Sequence, residues 1–201
     1  MRSSLVVAAL LSLPLVACNP AEEAPSDASS APAESGAAAS GETAVRGPVG
    51  ATAQAPLMDA EGGSAGAAAF HQGATGVVIR IEATGLTPGW HGLHLHAVGQ
   101  CDAPFQSAGS HIQHAQAVPH GYLNAEGPDS GDLPNLYVGV DGRGFAEVFT
   151  TAVSLNSGGP GAHLMDADGS SIVIHANPDD HTSQPIGGAG DRVACGVIAA
   201  G

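Results

Sequence analysis

The sequence predicts an all-β fold, an antiparallel sandwich or barrel of about eight short strands. Short runs of alternating or β-branched apolar residues recur between turn signals from residue 51 onward. Gly (29) and Pro (14) supply more than a fifth of the 201 residues, which suits many tight turns and few long helices. No stretch of useful length carries a 3.6-residue apolar period. Hydrophobic residues reach 43% but aromatics only 3%, so the core must be built from Val, Ile, Leu and Ala.

Taken from the N-terminus, the first element is an export signal. Arg2 precedes an apolar run of 13 residues, Leu5 to Ala17, broken by Pro14. That is too short to span a bilayer but suits a signal-peptide core. The run ends in Leu15-Val16-Ala17-Cys18, which resembles a bacterial lipobox and so implies cleavage before Cys18 and lipidation of its thiol. Ordinary signal cleavage with an unmodified Cys18 is the alternative, but a free exported thiol is an awkward leftover. The expected organisation is a signal peptide over 1–17, a lipidated Cys18 opening a tether over 18–44, and one folded domain over 45–201. Pro20 to Ala44 contains no Leu, Ile, Val, Met or aromatic residue, so it cannot bury enough apolar surface to offset its ordering entropy and is expected to be disordered.

Within the domain, Ala51–Asp59 leads into the turn Glu61-Gly62-Gly63. Gly66–His71 and Gly76–Ala83 read as a strand pair across Gln72-Gly73. Trp90–Ala97 follows Thr87-Pro88-Gly89. Leu136–Val140 and Phe145–Thr151 flank Asp141-Gly142-Arg143-Gly144, a strong hairpin signal. Ser171–His175 and Arg192–Ile198 are the last strands. Two long stretches, 98–135 and 176–191, carry little strand pattern, and loops of that length in a compact domain are usually functional.

Charge and composition narrow the chemistry. There are 19 acidic residues against five Arg and no Lys, a net charge of −14. Phosphate recognition needs clustered basic side chains, so no nucleic-acid partner is expected. The acidity reads as solubility. Ten His is a high count and points to metal. In Trp90-His91-Gly92-Leu93-His94-Leu95-His96, a strand places Leu93 and Leu95 on one face for the core, and His94 and His96 on the other, one pleat apart. Two imidazoles held that way can bind one copper or zinc ion.

From this segment onward the sequence resembles the copper,zinc superoxide dismutase family. His91-Gly92-Leu93-His94-Leu95-His96 with Gly99-Gln100-Cys101 is similar to its first copper motif, and Ser107-Ala108-Gly109-Ser110-His111 to the segment of its bridging His. Glu126-Gly127-Pro128 through Gly131-Asp132-Leu133-Pro134-Asn135 resembles the end of its zinc loop. Val173-Ile174-His175-Ala176-Asn177-Pro178-Asp179-Asp180 resembles its last copper segment, and Gly190-Asp191-Arg192-Val193-Ala194-Cys195-Gly196-Val197-Ile198 its C-terminal signature. The motifs follow the family's order from about Ala51 to Ile198. They imply an eight-stranded antiparallel Greek-key β-sandwich or barrel with two long functional loops.

Carried over residue by residue, the resemblance implies copper ligands His94, His96, His111 and His175, and zinc ligands His111, His120 and Asp132, with His111 bridging the metals. The chain departs from the family where the fourth zinc ligand is usually a His. Asp129 stands there, while an additional His114 follows the bridging His. Asp129 can coordinate directly, since zinc accepts carboxylate oxygen. Alternatively His114 replaces the missing imidazole, and its gain beside that loss favours His114. His91 matches a structural His that binds no metal. Asp179 matches an acid that bridges a copper His and a zinc His, with a plain turn acid as the alternative. Arg192 matches the guide for a small anionic substrate, with a surface ion pair as the alternative. Cys101 and Cys195 match an intrasubunit disulfide that pins the copper loop to the last strand and stabilises by about 4–5 kcal/mol in the chain-entropy model. His71, His163 and His181 read as surface residues.

The resemblance thus implies a copper-dependent superoxide dismutase with copper and zinc as cofactors. Its ping-pong cycle turns two superoxide anions and two protons into dioxygen and hydrogen peroxide, with Arg192 guiding substrate and His111 also donating a proton. The rival is a non-catalytic copper/zinc carrier on the same scaffold, which would need the ligands but not Arg192. Export and lipidation imply the periplasm or cell envelope, with membrane contact only through the lipid anchor. Asn19, where Asp often retains lipoproteins at an inner membrane, points to the outer one. A homodimer is compatible with the sequence. Because Asn177–Gly190 holds only acids and His181 as titratable residues, weaker electrostatic steering of superoxide is expected than in relatives with a basic loop there.

Overall fold

The structure, a computed structural model, describes residues 50–201. The signal peptide, Cys18, the tether and the expected domain start at Val45 lie outside the described residues.

Alternation builds the first half of the barrel. β1 (Thr52–Asp59), β2 (Ser64–Gln72) and β3 (Val77–Thr84) turn Ala53, Ala55, Leu57, Ala68, Phe70, Val77, Ile79, Ile81 and Ala83 into a shared core and leave their polar neighbours outside. There follow β4 (Gly89–His91), β5 (Leu93–His96), β6 (Leu136–Val138), β7 (Arg143–Thr150), β8 (Val153–Ser154), β9 (Ala162–His163), β10 (Ser171–His175), β11 (Arg192–Val197) and β12 (Ala199–Ala200). The main sheet runs β4-β6-β7-β3-β2-β1-β11-β10-β5, with β12 added to β1, while β8 and β9 pair separately in parallel. β4 and β5 are adjacent in the chain yet lie at opposite ends of this order, so the antiparallel sheet nearly closes on itself. The β3–β7 and β1–β11 neighbours are the crossovers of a Greek key. The core inside is almost wholly Val, Ile, Leu and Ala, as the composition requires.

All eight expected runs form strands, with one division. Trp90–Ala97 is not a single strand. It breaks at Gly92, so that β4 pairs with β6 and β5 with β10. The Gly92 N–H donates to the Asn177 carbonyl at 2.8 Å, its own carbonyl accepts from the His175 N–H at 2.9 Å, and a Cβ there would lie 2.8 Å from that of Ala189. The chain can cross from one edge to the other here because Gly92 adds no side chain to a crowded point. The strands β8, β9 and β12 were not expected; two residues carry no periodic signal. Among the described residues, 98–135 and 176–191 hold no strand, only a 3₁₀ turn over Gln106–Ala108.

Candidate metal centre

β5 is the spine of the site. β10 pairs along one side of it, with Val173 opposite His94 and Ser171 opposite His96. On the other side, isolated bridges set His111 opposite His96 and Asp132 opposite His94. The Ile112 N–H to the Leu95 carbonyl (3.0 Å) and the Leu95 N–H to the Gly131 carbonyl (2.8 Å) hold them there. Leu93 and Leu95 enter the core, and His94 and His96 meet the other imidazoles, as strand alternation demands. A register shift between Ile174 and His175 sets His175 opposite Arg192. A bulge beside a site commonly re-aims a side chain in this way.

Each imidazole of the first donor set has one ring nitrogen engaged and one left over. His94 Nε2–H donates to Asp179 Oδ2 at 3.1 Å, His96 Nδ1–H to the Gly109 carbonyl at 2.9 Å, and His175 Nδ1–H to the Gly190 carbonyl at 3.1 Å, while His111 Nδ1 faces Asp129 Oδ2 at 3.0 Å. The other nitrogens, His94 Nδ1, His96 Nε2, His111 Nε2 and His175 Nε2, are buried and have no hydrogen-bond partner. Buried polar atoms are rarely left so, and three that converge, those of His94, His96 and His175, with His111 beside them, fit a shared cation. Candidate ligand atoms of His94, His96 and His175 lie within 4.8 Å of one another, and the His111 ring is 4.2 Å from that of His94 and 5.1 Å from that of His96. Desolvation pushes His96 down to about 2 and His175 to about 3, and lowers His94 despite its bond to Asp179. Neutral imidazole is the form that ligates copper.

The second donor set, His111, His120, Asp129 and Asp132, has different chemistry, although its ligand atoms also lie within 4.8 Å of one another. His111 Nδ1 is 3.0 Å from Asp129 Oδ2 and 3.5 Å from Asp132 Oδ1, and His120 Nδ1 lies in close contact with Asp132 Oδ1. The remaining oxygens are braced by backbone. Asp129 Oδ1 accepts from the Gly131 N–H at 2.9 Å, and Asp132 Oδ2 from the Gly121 and Asp129 N–H groups at 2.8 and 2.9 Å. Two imidazoles and two carboxylates form a set that zinc accepts. Burial opposes protonation of His111, but hydrogen bonds and charge from Asp129 and Asp132 outweigh it and raise the group to about 9.

His114 corrects one expectation. It is exposed, belongs to no metal-sized donor group among the described residues, and Asp129 stands with the donors instead. The cause is local. Ile112 is tied into the core, and Gln113 Oε1 accepts from the Val118 N–H at 3.2 Å, so residues 114–117 form an outward excursion.

Asp179 joins the two sets, its Oδ2 to His94 and its Oδ1 accepting from His120 Nε2–H at 3.0 Å. Burial opposes its charge, but bonds from His94, the His181 N–H and His120 hold its carboxyl well below the usual range. It is therefore not a plain turn acid. Arg192 is half-buried and donates to the Phe105 and Gly109 carbonyls, both at 2.6 Å, neutral partners that leave its charge available. With His96, His111 and His120 it lines a cavity of about 350 Å³. The Cys101–Cys195 disulfide, Cα–Cα 5.7 Å, packs with Phe105, Ala108 and Val173, and so anchors the turn whose Gly109 carbonyl holds both Arg192 and His96. His91 stands outside the donor sets. Its Nδ1 lies 2.6 Å from the His175 carbonyl and its Nε2 2.8 Å from that of Thr87. Tyr122 was missed by sequence reasoning. Its hydroxyl donates to the Asp132 carbonyl at 2.7 Å, and burial pushes its pKa up to about 12. Bonds from a side chain to backbone leave no spacing pattern to read.

A nearly closed antiparallel barrel with two abutting donor sets, one of imidazoles alone and one mixed with carboxylates, defines a metalloprotein with paired copper and zinc sites. The family model described as copper/zinc superoxide dismutase (SODC) matches residues 64–198. The Cu-Zn superoxide dismutase of Caulobacter vibrioides is 51% identical over 148 residues, covering 73% of this chain and 85% of its own. The second Cu-Zn superoxide dismutase of Aquifex aeolicus is 40% identical with the same coverage, 73% and 85%. Among solved structures, a SOD-like protein from Bacillus subtilis matches with a TM-score of 0.68 at 34% identity, covering 73% of this chain and 97% of its own. The chain belongs to the copper/zinc superoxide dismutase family. It is a copper-dependent oxidoreductase with copper and zinc as cofactors and superoxide as substrate.

Proposed function

We propose that the chain dismutates superoxide at a copper site formed by His94, His96, His111 and His175, beside a zinc site formed by His111, His120, Asp129 and Asp132, in the cell envelope. The observation that carries this reading is the convergence of the buried, unpartnered nitrogens of His94, His96 and His175, with the equally unpartnered His111 Nε2 beside them. Bound copper supplies the one-electron redox chemistry that turns two superoxide anions and two protons into dioxygen and hydrogen peroxide. The chain's own part is placement. Arg192 attracts and orients the anion in the cavity it lines, and its two carbonyl partners keep the guanidinium still. The Gly109 carbonyl fixes the His96 tautomer, leaving Nε2 free. His111 presents Nδ1 to the acids and Nε2 to the other imidazoles, so a proton held at Nε2 can pass into the cavity. Among the described residues no acid pairs with Arg192 at that mouth, which favours an enzyme over a carrier, because storage needs no anion guide.

The leader over 1–17, the lipobox at Cys18 and the disulfide support export to the periplasm with a lipid anchor, and Asn19 supports the outer membrane. A row of aromatics supports a homodimer. Trp90 on β4 and Tyr137 on β6 meet edge to face at 5.0 Å, Phe145 follows on β7 and Phe149 lies further along it, each more than half exposed. The chain spends its single Trp, one of two Tyr and two of four Phe on this face, and patches of that kind mark interfaces.

Metal analysis with a dismutation assay on the mature protein tests the reading. Wild type should hold both metals and be active, His175→Ala should lose copper and activity, and Arg192→Ala should keep both metals but react more slowly. A metal-loaded, inactive wild type would favour the carrier. Cys18→Ala should release the protein from membranes.

A further inference from the structure

Two side-chain amides cross between the long loops in opposite directions. Gln184, from 176–191, accepts the His120 N–H on Oε1 at 3.1 Å and donates from Nε2 to the His120 carbonyl at 2.8 Å. Asn135, closing the other loop, treats Asp179 the same way: Oδ1 accepts the Asp179 N–H at 2.9 Å and Nδ2 donates to the Asp179 carbonyl at 2.8 Å. A carboxamide that matches both the N–H and the C=O of one residue gives it the pairing a neighbouring strand would supply. His120 needs this, since it lies in a loop without strand partners and precedes Gly121 at φ +111. The loops are pressed together at the same place. The Leu123 N–H donates to the His181 carbonyl at 3.0 Å, and a Cβ on Gly121 would lie 2.2 Å from that oxygen. The ring of His120 is also fixed from loop 176–191, through Asp179.

We propose that Gln184 is a positioning residue for His120, holding its backbone so that Nδ1 faces the zinc-side acids and Nε2 faces Asp179. Through this clamp the loop that forms part of the cavity mouth also sets zinc affinity. The proposal rests on the zinc-site assignment above. Removing a partner that orients a ligand commonly weakens metal binding by 10–100-fold. The His120 ring keeps its bond to Asp179, so Gln184→Leu should weaken zinc by about 10-fold, the low end of that range. The copper-side imidazoles are held by β5, β10 and the Gly109 and Gly190 carbonyls, so copper affinity should stay within about 2-fold.

The test uses the mature chain with Gln184→Leu, which is close in size and lacks both bonds, and Gln184→Glu, which keeps only the acceptor. Hydrogen exchange on metal-free protein reads the His120 amide directly. It should be protected in wild type and Gln184→Glu and exchange about 10-fold faster in Gln184→Leu. Chelator competition with copper bound then reads zinc, with the order wild type, Gln184→Glu, Gln184→Leu from tightest to weakest. Unchanged zinc affinity in Gln184→Leu would overturn the proposal. So would equal losses of zinc affinity, copper affinity and thermal stability, which would mark a merely structural residue. A wild type that holds no zinc, while its His120 amide still responds to Gln184→Leu, would overturn the zinc assignment and leave the clamp standing.

Discussion

The copper-side and zinc-side donor sets share His111 yet are built in different ways. His94, His96 and His175 stand on β5 and at the end of β10, and His111 is bridge-paired to β5, so main-chain ladders fix the first set. Burial keeps His94, His96 and His175 neutral, while the acids hold a proton on His111, and each of the four keeps one nitrogen without a partner among the described residues. On the proposed zinc side Asp132 is likewise bridge-paired to β5, opposite His94, but His120 and Asp129 come from a loop without strands and are fixed by hydrogen bonds to neighbouring groups and carboxylates. The proposed copper geometry is thus inherited from the fold, while the proposed zinc geometry is assembled largely by loop contacts around one bridge-paired acid and carries its own negative charge. Copper should therefore bind to a protein whose zinc side is damaged, and the converse should also hold.

The largest expected effect breaks the strand-built set. His96→Ala should lower dismutation by more than about 100-fold while zinc stays bound, checked by a pulse assay and metal analysis. Next, Asp129→Ala should weaken zinc by about 100-fold while His114→Ala leaves it within about 2-fold, read by chelator competition. The reverse ranking would restore His114 as the donor. Asp179→Leu touches both sets, so it should weaken each metal by about 10-fold rather than one alone.

In the metal-free protein the two sets pull stability in opposite directions of pH. His96 and His175 ordinarily titrate near 6.5 but near about 2 and 3 when folded, so the unfolded chain takes up their protons first. Stability should fall as pH drops below about 6.5 toward 3. His111, raised to about 9, contributes fully below 6.5 and loses that contribution as pH rises through 9. Urea unfolding across pH should show both losses, and Asp129→Asn should reduce the alkaline one while leaving the acid one. The smallest effect concerns steering. With Arg192 the one guanidinium lining the mouth among the described residues and a net charge of −14, the dismutation rate should change by less than about 2-fold across physiological ionic strength. A steep fall with salt would show a stronger positive field than Arg192 and the metals provide.

What could be read from the sequence follows the same division. The alternation Leu93-His94-Leu95-His96 fixes both faces of β5, because a strand's period is set by its backbone. The 141–144 hairpin and the Val/Ile/Leu core are legible for similar reasons. The break at Gly92 is not, since it answers to Ala189 and Asn177, which lie far along the chain on the long loop 176–191. Neither is the choice between His114 and Asp129, because a loop has no period and the outcome depends on where Gln113 turns the chain. Gln184 binds backbone, which any residue offers, and lies in no motif; Asn135 lies in one, but the motif does not say that it clamps the Asp179 backbone.

The most direct test of the central claim is electron paramagnetic resonance of the copper-loaded mature protein with zinc present. Nitrogen hyperfine structure should report four imidazoles, and changing any one of His94, His96, His111 or His175 to Ala should alter the signal. A spectrum dominated by oxygen donors, or one unmoved by all four substitutions, would contradict the account.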